Sequence, residues 1–279
     1  MQHRIHVLAE LPGAMVLSKP AEASWKTVRA FLNNQGTGLA QRFQPQRGVF
    51  PVGASGALLV KARNSPALAD YADLYVALLR GTVPNSNVTL RSRLCQPSEG
   101  SNAWRLAGLR TEGLEASTVL RPVAYGHLAG TAATLALLRP LLRASDQQLL
   151  LHCAAAGCPV LGDRLHNGER RLDFRFEDAE SPTKRLMLHC LRVKVAGTEV
   201  LAPQEITSEL EVQQELADFS VAADELMNVQ NSKPVSEWDT FAGGLPSQIV
   251  DDTCWDRYKL PRKVKGPPFH PMDPRRQKK

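Results

Sequence analysis

The sequence of 279 residues lacks any apolar run long enough to cross a membrane, and it lacks paired cysteine motifs. Its longest apolar stretches, such as LYVALL and LALLRPLL, are far shorter than the roughly 18–20 residues of a membrane span. The five cysteines form no CxxC pair, and an odd number is typical of a reducing compartment. We therefore predict no membrane association, no metal site and no cofactor.

The N-terminus also lacks a secretory hydrophobic region, and the first predicted strand begins close to Met1. The preceding residues are too few for a full arginine-rich presequence. Secretion is therefore not expected, whereas import into mitochondria would require another kind of signal.

Positive charge is concentrated at the two ends of the chain. The net charge is +6 in residues 1–64 and again +6 in residues 260–279, so residues 65–259 carry −6. Two basic ends around an acidic middle are typical of a protein that contacts a polyanion at defined places. The alternative interpretation is solvated charge without a partner.

Local patterns predict strands and helices in mixed order, hence an α+β fold. Strand patterns occupy 14–19, 56–63, 74–81, 87–94, 103–109 and 117–128, and 184–200 is predicted as strand, turn and strand. Helices are predicted at 24–36, 145–157, 208–219 and 221–229, with a helix start within 65–73. The apolar run 131–142 fits either a strand or a helix. Within the 87–94 strand, alternation places Arg91 and Arg93 on one face.

Residues 230–279 differ in character from the rest of the chain. They are rich in proline and glycine, have little apolar periodicity and end in a basic segment. Such a composition does not form a packed domain by itself. We therefore predict a folded domain at 1–229 and an extended basic tail at 230–279, with aromatic residues spaced along it as docking anchors.

Five segments in order resemble the RluA/RsuA-type pseudouridine synthases, which isomerise uridine in RNA. They are VLSKPAEAS (16–24), FPVG followed by ASGALLVKARN (50–64), YVALLRG (75–81), QQLLLHCAAAGCPVLGD (147–163) and RLMLHCLRV (185–193). The resemblance implies a curved, mixed and mostly antiparallel sheet with flanking helices. Gly162-Asp163, in the most specific of these segments, is interpreted as a turn.

The same resemblance implies that the residues of catalysis are missing. Family members use an Asp in an RLD segment to attack the flipped nucleotide, a Tyr to stack on its base, and an Arg to pair with the Asp. Here RLD is absent between Gly53 and Ala54, or Pro51 occupies the Asp position in a gap-free alignment. The Arg position holds Leu150, so only Tyr75 remains. An Arg left in a closed pocket without the Asp would be an unpaired buried charge, which destabilises the folded protein. Loss of the Asp and the Arg together avoids this cost.

A fold that holds RNA can keep binding after its chemistry is lost, because phosphate contacts need no catalytic residue. We therefore expect an inactive RNA-binding or architectural factor of a ribonucleoprotein. The resemblance favours the large ribosomal subunit, with ribosomal RNA and ribosomal or assembly proteins as partners. By analogy with diverged mitochondrial factors, the mitochondrion is the expected location, and otherwise the cytoplasm. The candidate RNA-binding residues are Lys19, Lys26, Arg29, Arg42, Arg47, Lys61, Arg63, Arg91, Arg93, Arg262, Lys263, Lys265, Arg275 and Arg276.

Two alternatives stay open from the sequence. One is an active synthase that uses a different acid, and the other is a scaffold that binds only proteins, whose acidic middle meets basic partners.

Overall fold

The computed structural model describes most of the first 229 residues of the chain. The described residues are 4–21, 23–36, 39–45, 50–51, 53–63, 71–96, 104–107, 112–166, 183, 185–203 and 206–229. The predicted tail and most of the predicted helix start within 65–73 lie outside them. The boundary between residues 1–229 and 230–279 therefore stays a prediction.

Twelve strands in the described part of the chain form one sheet. They are β1 (His6–Leu11), β2 (Ala14–Lys19), β3 (Phe43–Pro45), β4 (Ser55–Ala62), β5 (Ala72–Arg80), β6 (Val88–Cys95), β7 (Arg105–Leu106), β8 (Leu114–Leu128), β9 (Thr131–Leu142), β10 (Leu188–Val195), β11 (Thr198–Leu201) and β12 (Glu211–Glu215). Four helices accompany them: α1 (Trp25–Gln35), α2 (Leu39–Arg42), α3 (Gln148–Ala155) and α4 (Phe219–Met227). A 3-10 turn covers Ile206–Glu209.

The strand order along the sheet is β1-β2-β4-β10-β5-β9-β8-β6-β7, while β3, β11 and β12 pair with β4, β10 and β8. Among these pairings only the short contact between β4 and β10 is parallel. The predicted fold class, α+β with a mixed and mostly antiparallel sheet and flanking helices, is confirmed.

The central strands are buried on both faces, as β5 shows. Tyr75, Ala77 and Leu79 belong to one apolar cluster, whereas Leu74 and Val76 belong to another. Successive side chains of a strand point to opposite faces, so the two clusters lie on opposite sides of the sheet. Helix α3 contributes to the first cluster and α4 to the second. We call these sides the α3 face and the α4 face.

Helix α1 begins as its sequence predicts. The Ser24 Oγ accepts a hydrogen bond from the Thr27 N–H at 3.2 Å, which satisfies one of the free donors of the first turn. Val28 and Leu32, at helical spacing, are fully buried against the sheet. The apolar stripe therefore fixes which side of the helix faces the core.

Helix α3 also matches its prediction. It begins after Ser145, whose Oγ accepts a hydrogen bond from the Gln147 N–H at 3.1 Å. Gly157 follows its end with φ of 76°, the left-handed conformation common after a helix.

The helix predicted at 208–219 is wrong. Residues Glu211–Glu215 form β12, which pairs antiparallel with β8. Glutamate and glutamine are good helix formers, but helix propensity is worth only tenths of a kcal/mol per residue, and pairing with the edge of β8 outweighs it. The ambiguous run 131–142 is strand β9, and β1 is a strand that the sequence analysis did not identify.

Candidate active site

The loop that enters β4 is short and carries no acid. No carboxylate occurs between Phe43 and Ser55 in the sequence. In the structure the Ala54 N–H donates to the Pro51 carbonyl at 3.1 Å, and Gly53 adopts φ of 88°. Pro51 and Ala54 are buried. The chain therefore turns into the strand directly at the point where the family has its RLD segment.

Tyr75 is enclosed by apolar groups. It is fully buried and shares the cluster of the α3 face with Ala54 and Leu150, and Phe50 packs against that cluster. The rings of Phe50 and Tyr75 lie 6.5 Å apart at an interplanar angle of 56°. Of the five positions that the sequence assigned to a degenerate pocket, Ala54, Tyr75 and Leu150 thus belong to one apolar cluster, and Pro51 and Gly53 precede Ala54 in the chain. The pocket itself stays a prediction.

The sequence analysis missed an ion pair at the hydroxyl end of Tyr75. Asp73, fully buried, accepts hydrogen bonds at Oδ2 from the Tyr75 hydroxyl at 3.0 Å and from the Tyr71 hydroxyl at 2.9 Å. The Arg143 guanidinium forms an ion pair with the other carboxylate oxygen. It also lies 5.0 Å from the centre of the Tyr71 ring.

The expectation that this region contains neither an acid nor a guanidinium is therefore wrong. A carboxylate and a guanidinium are present, but at other chain positions than in the family pattern. The sequence does indicate the acid, because Asp73 is a lone carboxylate inside the apolar segment YADLYVALL. It does not indicate the partner of Asp73, because Arg143 lies 70 residues further along the chain.

The Asp73 carboxylate and the Tyr75 ring of this cluster are fully buried. Burial raises the pKa of Tyr75 well above its ordinary value, and burial also raises the pKa of Tyr71. Burial lowers the pKa of Arg143, an effect opposed by Tyr71. Both phenols are therefore neutral donors at physiological pH, and the carboxylate that accepts from them is shielded from water.

Lys19 differs from its prediction as a phosphate contact. It is only 7% exposed, and its Nζ donates to the Ala54 carbonyl at 2.7 Å and to the Pro20 carbonyl at 3.1 Å. The ammonium also lies 5.4 Å from the centre of the Phe50 ring. Lys19 thus fastens the loop where the catalytic segment is missing, and it does not extend into solvent.

The burial of Lys19 leads us to predict that the stability of the folded protein depends on pH. Burial lowers its pKa from 10.5 to about 8, so between these values the unfolded state binds more protons than the folded state. Stability arising from Lys19 must therefore rise as the pH rises from about 8 towards 10.5. We expect the stability of the wild type relative to Lys19→Met to increase across this window in urea titrations. A constant difference would contradict a buried ammonium.

The other described candidate cations lie at the surface. Lys26, Arg29, Arg42, Arg63 and Arg93 are exposed, and Lys61 and Arg91 are half-buried. None of the seven forms an ion pair with another described residue. Arg47 and the tail cations Arg262, Lys263, Lys265, Arg275 and Arg276 lie outside the described residues.

The fold places some of these cations on neighbouring elements. The Arg63 N–H donates to the Arg42 carbonyl at 2.8 Å, and Lys61 pairs with Gln44 across β3 and β4. Lys26 and Arg29 lie one helical turn apart on α1. Arg91 and Arg93 share one face of β6, as predicted.

Three observations on the described residues concern metal ligands, helix length and cysteines. Within them, no three His, Cys, Asp or Glu side chains group as metal ligands would. No described helix has the length and apolar character needed to span a bilayer. The described cysteines, Cys95, Cys153, Cys158 and Cys190, are free and buried.

Two solved structures similar to this one are named as pseudouridylate synthase domain proteins. The human RNA pseudouridylate synthase domain containing 1 structure has a TM-score of 0.64 at 21% identity, covering 81% of this chain and 96% of that one. The human domain containing 4 structure has a TM-score of 0.50 at 12% identity, with 75% and 94% covered. The fold is therefore that of a pseudouridine-synthase-like domain.

Sequence comparison supports the same family. RNA pseudouridylate synthase domain-containing protein 1 of Mus musculus is 29% identical over 153 residues, 50% of this chain and 47% of that protein. The Homo sapiens protein of the same name is 31% identical over 153 residues, 50% and 46% of the two chains. The match thus spans about half the length of these relatives. No protein-family model matches the sequence. The predicted family resemblance is confirmed.

Proposed function

We propose that this protein is a catalytically inactive, pseudouridine-synthase-like factor that binds RNA or organises a ribonucleoprotein. Its proposed setting is the large subunit of the mitochondrial ribosome or an assembly intermediate of it. Its proposed partners are ribosomal RNA and ribosomal or assembly proteins.

One observation carries the proposal of inactivity. Where the family has its acidic segment, the chain turns from Pro51 to Ala54 without a carboxylate, and Ala54 and Leu150 belong to the same apolar cluster as the fully buried Tyr75. A nucleophile must be positioned close to the reacting atom of the substrate. In this arrangement apolar groups occupy that place.

Surface charge supports RNA binding without catalysis. The exposed cations near the N-terminus have no acidic partner among the described residues, and the last twenty residues carry a further +6. Cations of this kind bind phosphates through a sequence-independent and salt-dependent interaction. The mitochondrial setting rests on analogy with diverged factors that gained extensions.

A second candidate function has a specific observation in its favour. The Asp73 carboxylate lies at the hydroxyl of Tyr75, so a synthase that uses a different acid has a named residue to test. Against it, Asp73 is fully buried and is already occupied by Arg143 and two tyrosine hydroxyls. In this conformation the Asp73 carboxylate is not exposed to a substrate.

The decisive experiment incubates the full chain with ribosomal RNA transcripts and maps pseudouridine. We expect no new pseudouridine from the wild type or from Asp73→Asn. Turnover by the wild type that is lost in Asp73→Asn would overturn the proposal in favour of the alternative acid.

Crosslinking of the native complex tests the other half of the proposal. We expect crosslinks to ribosomal RNA as well as to proteins. Crosslinks to proteins alone would show a scaffold without RNA contact and contradict RNA binding.

A further inference from the structure

We propose that Arg91, Arg93 and Arg105 form a row that binds the phosphate backbone of RNA on the α4 face, on the opposite side of the sheet from Tyr75. This inference rests on the proposed function, because it names where that RNA binds. We call these three residues the arginine row.

Strand register places the three side chains on one face. Arg91 and Arg93 are two residues apart on β6, and the register with β8 is regular from Val88 to Leu94. Cys95 continues the same face, and Arg105 of β7 pairs directly with it. Residues directly opposite in an antiparallel pair lie on the same side of the sheet. Arg105, which the sequence analysis did not select, therefore joins the row.

Neighbouring pairs identify that face as the α4 face. Thr89, on the same side of β6 as Arg91, pairs with Val119, which belongs to the cluster beneath α4. Val119 in turn pairs with Arg139, whose guanidinium donates to the carbonyl of Leu226 at the end of α4. By contrast Val88 and Leu90 share the cluster of Tyr75. The arginine row and the degenerate pocket thus lie on opposite faces.

The row is accessible, and its cations form no ion pair with the described acids. Arg93 and Arg105 are exposed and Arg91 is half-buried, and none of them pairs with an acid among the described residues. Glu115 lies across from Arg93 in the register, yet no ion pair joins them. A Cβ atom added at Gly113 would lie 3.2 Å from the Cβ of Arg93. The same Cβ would lie 2.8 Å from the Leu94 carbonyl oxygen, so the chain approaches Arg93 closely here and only glycine fits.

The spacing of the row suits a phosphate backbone. Side chains on one face of a strand repeat every ~7 Å, since each residue rises about 3.4 Å. Arginine presents a planar fork of donors that matches phosphate oxygens, and its weak hydration favours such contacts. A row of this kind can follow successive phosphates without reading the bases.

The tail begins on the same side. Helix α4 ends at Met227, close to the Arg139 contact, and the described chain ends at Val229. The residues that follow lead to the basic segment 260–279. RNA bound along the arginine row would therefore lie on the face where the described part of the chain ends, and an RNA bound beside Tyr75 would not.

The experiment measures RNA affinity of the full chain against salt concentration. The test variant combines Arg91→Gln, Arg93→Gln and Arg105→Gln. The control combines Arg4→Gln, Arg164→Gln and Lys194→Gln, which removes the same formal charge at positions outside β6, β7 and β8. The probe is a labelled RNA stem-loop, with a single-stranded RNA of equal composition beside it.

For the test variant we expect the slope of log Kobs against log salt to fall by about 2–3, since each phosphate contact contributes about 0.7–0.9. Near 0.1 M salt, affinity should fall by on the order of 100-fold. The control should change both quantities far less. Equal effects of the two triple variants would refute the proposal that RNA binds along the arginine row, but they would not refute RNA binding by the protein.

Other outcomes separate the inference from the proposed function. A wild type that binds neither RNA would refute the proposed RNA binding, and the arginine row with it. Should the triple variant not fold, Arg93→Gln at its exposed position replaces it. That single change should lower the slope by about 0.7–0.9, and an unchanged slope would contradict the proposal.

Discussion

Replacing Arg143 with leucine is expected to destabilise the protein by about 3–5 kcal/mol, because it leaves the Asp73 carboxylate buried without its cation. Asp73 is fully buried, and the two tyrosine hydroxyls remain as its donors. Asp73→Leu should cost less, since the Arg143 side chain is 20% exposed and can turn towards water. Urea unfolding followed by circular dichroism measures both.

The double variant is the sharper test of this ion pair. Replacing both partners by leucine removes the charges together, and such replacements are often close to neutral. We expect the Asp73→Leu, Arg143→Leu protein to be more stable than Arg143→Leu alone. The matched control is Arg121→Leu, which breaks an ion pair with the largely exposed Glu225 and should cost less than about 1 kcal/mol. Additive losses at positions 73 and 143 would contradict a coupled buried pair.

Gly162→Ala is expected to cost about 3 kcal/mol or more. Gly162 has φ of 79°, and an added Cβ would lie 1.9 Å from the carbonyl oxygen of Arg185. The left-handed conformation alone costs about 1–2 kcal/mol for a residue other than glycine. The overlap with the backbone must then be relieved by moving the segment that leads into β10, which carries Met187 and its hydrogen bond to Leu161.

Gly157→Ala provides the control for this prediction. Gly157 has nearly the same φ, 76°, but no atom lies within 4 Å of the position that an added methyl group would take, so only the conformational cost of about 1–2 kcal/mol applies. Thermal and urea unfolding of both variants separate conformation from overlap. Equal losses would show that the close approach at Gly162 relaxes freely.

The interpretation of Gly162-Asp163 as a turn is confirmed, since Asp163 Oδ1 accepts from the Leu165 and His166 N–H groups.

Elements whose signal is local could be predicted from the sequence. The cap at Ser24, the alternation in β6 and the glycine after α3 each depend on residues within a few positions. Strand β12 could not be read this way, because its conformation depends on pairing with β8, which comes 84 residues earlier at Glu211 and His127. Tertiary pairing overrides weak local preference there.

For the candidate site, the sequence predicted which catalytic residues are missing, but it did not predict which charged residues are present. The missing acid and the replacement at Leu150 are visible in the sequence, whereas the ion pair of Asp73 with Arg143 depends on two strands meeting in space. Lys19 was misjudged for a related reason. A lysine is usually exposed, so the sequence favoured a surface position for Lys19. In the fold its ammonium is buried and donates a hydrogen bond to the carbonyl of Ala54, which is 35 residues away in the chain.

The position of β10 has a consequence for synthesis of the chain. It pairs with β5 over residues 72–77 and with β4 at Ser55 and Gly56, so β5 and the start of β4 keep unpaired edges until residues 188–195 have been made. Unpaired edges are templates for mispairing, and non-local pairings form slowly. A nascent chain stalled or cleaved before this strand would therefore be prone to aggregate, and a chaperone that shields those edges would matter most during that interval.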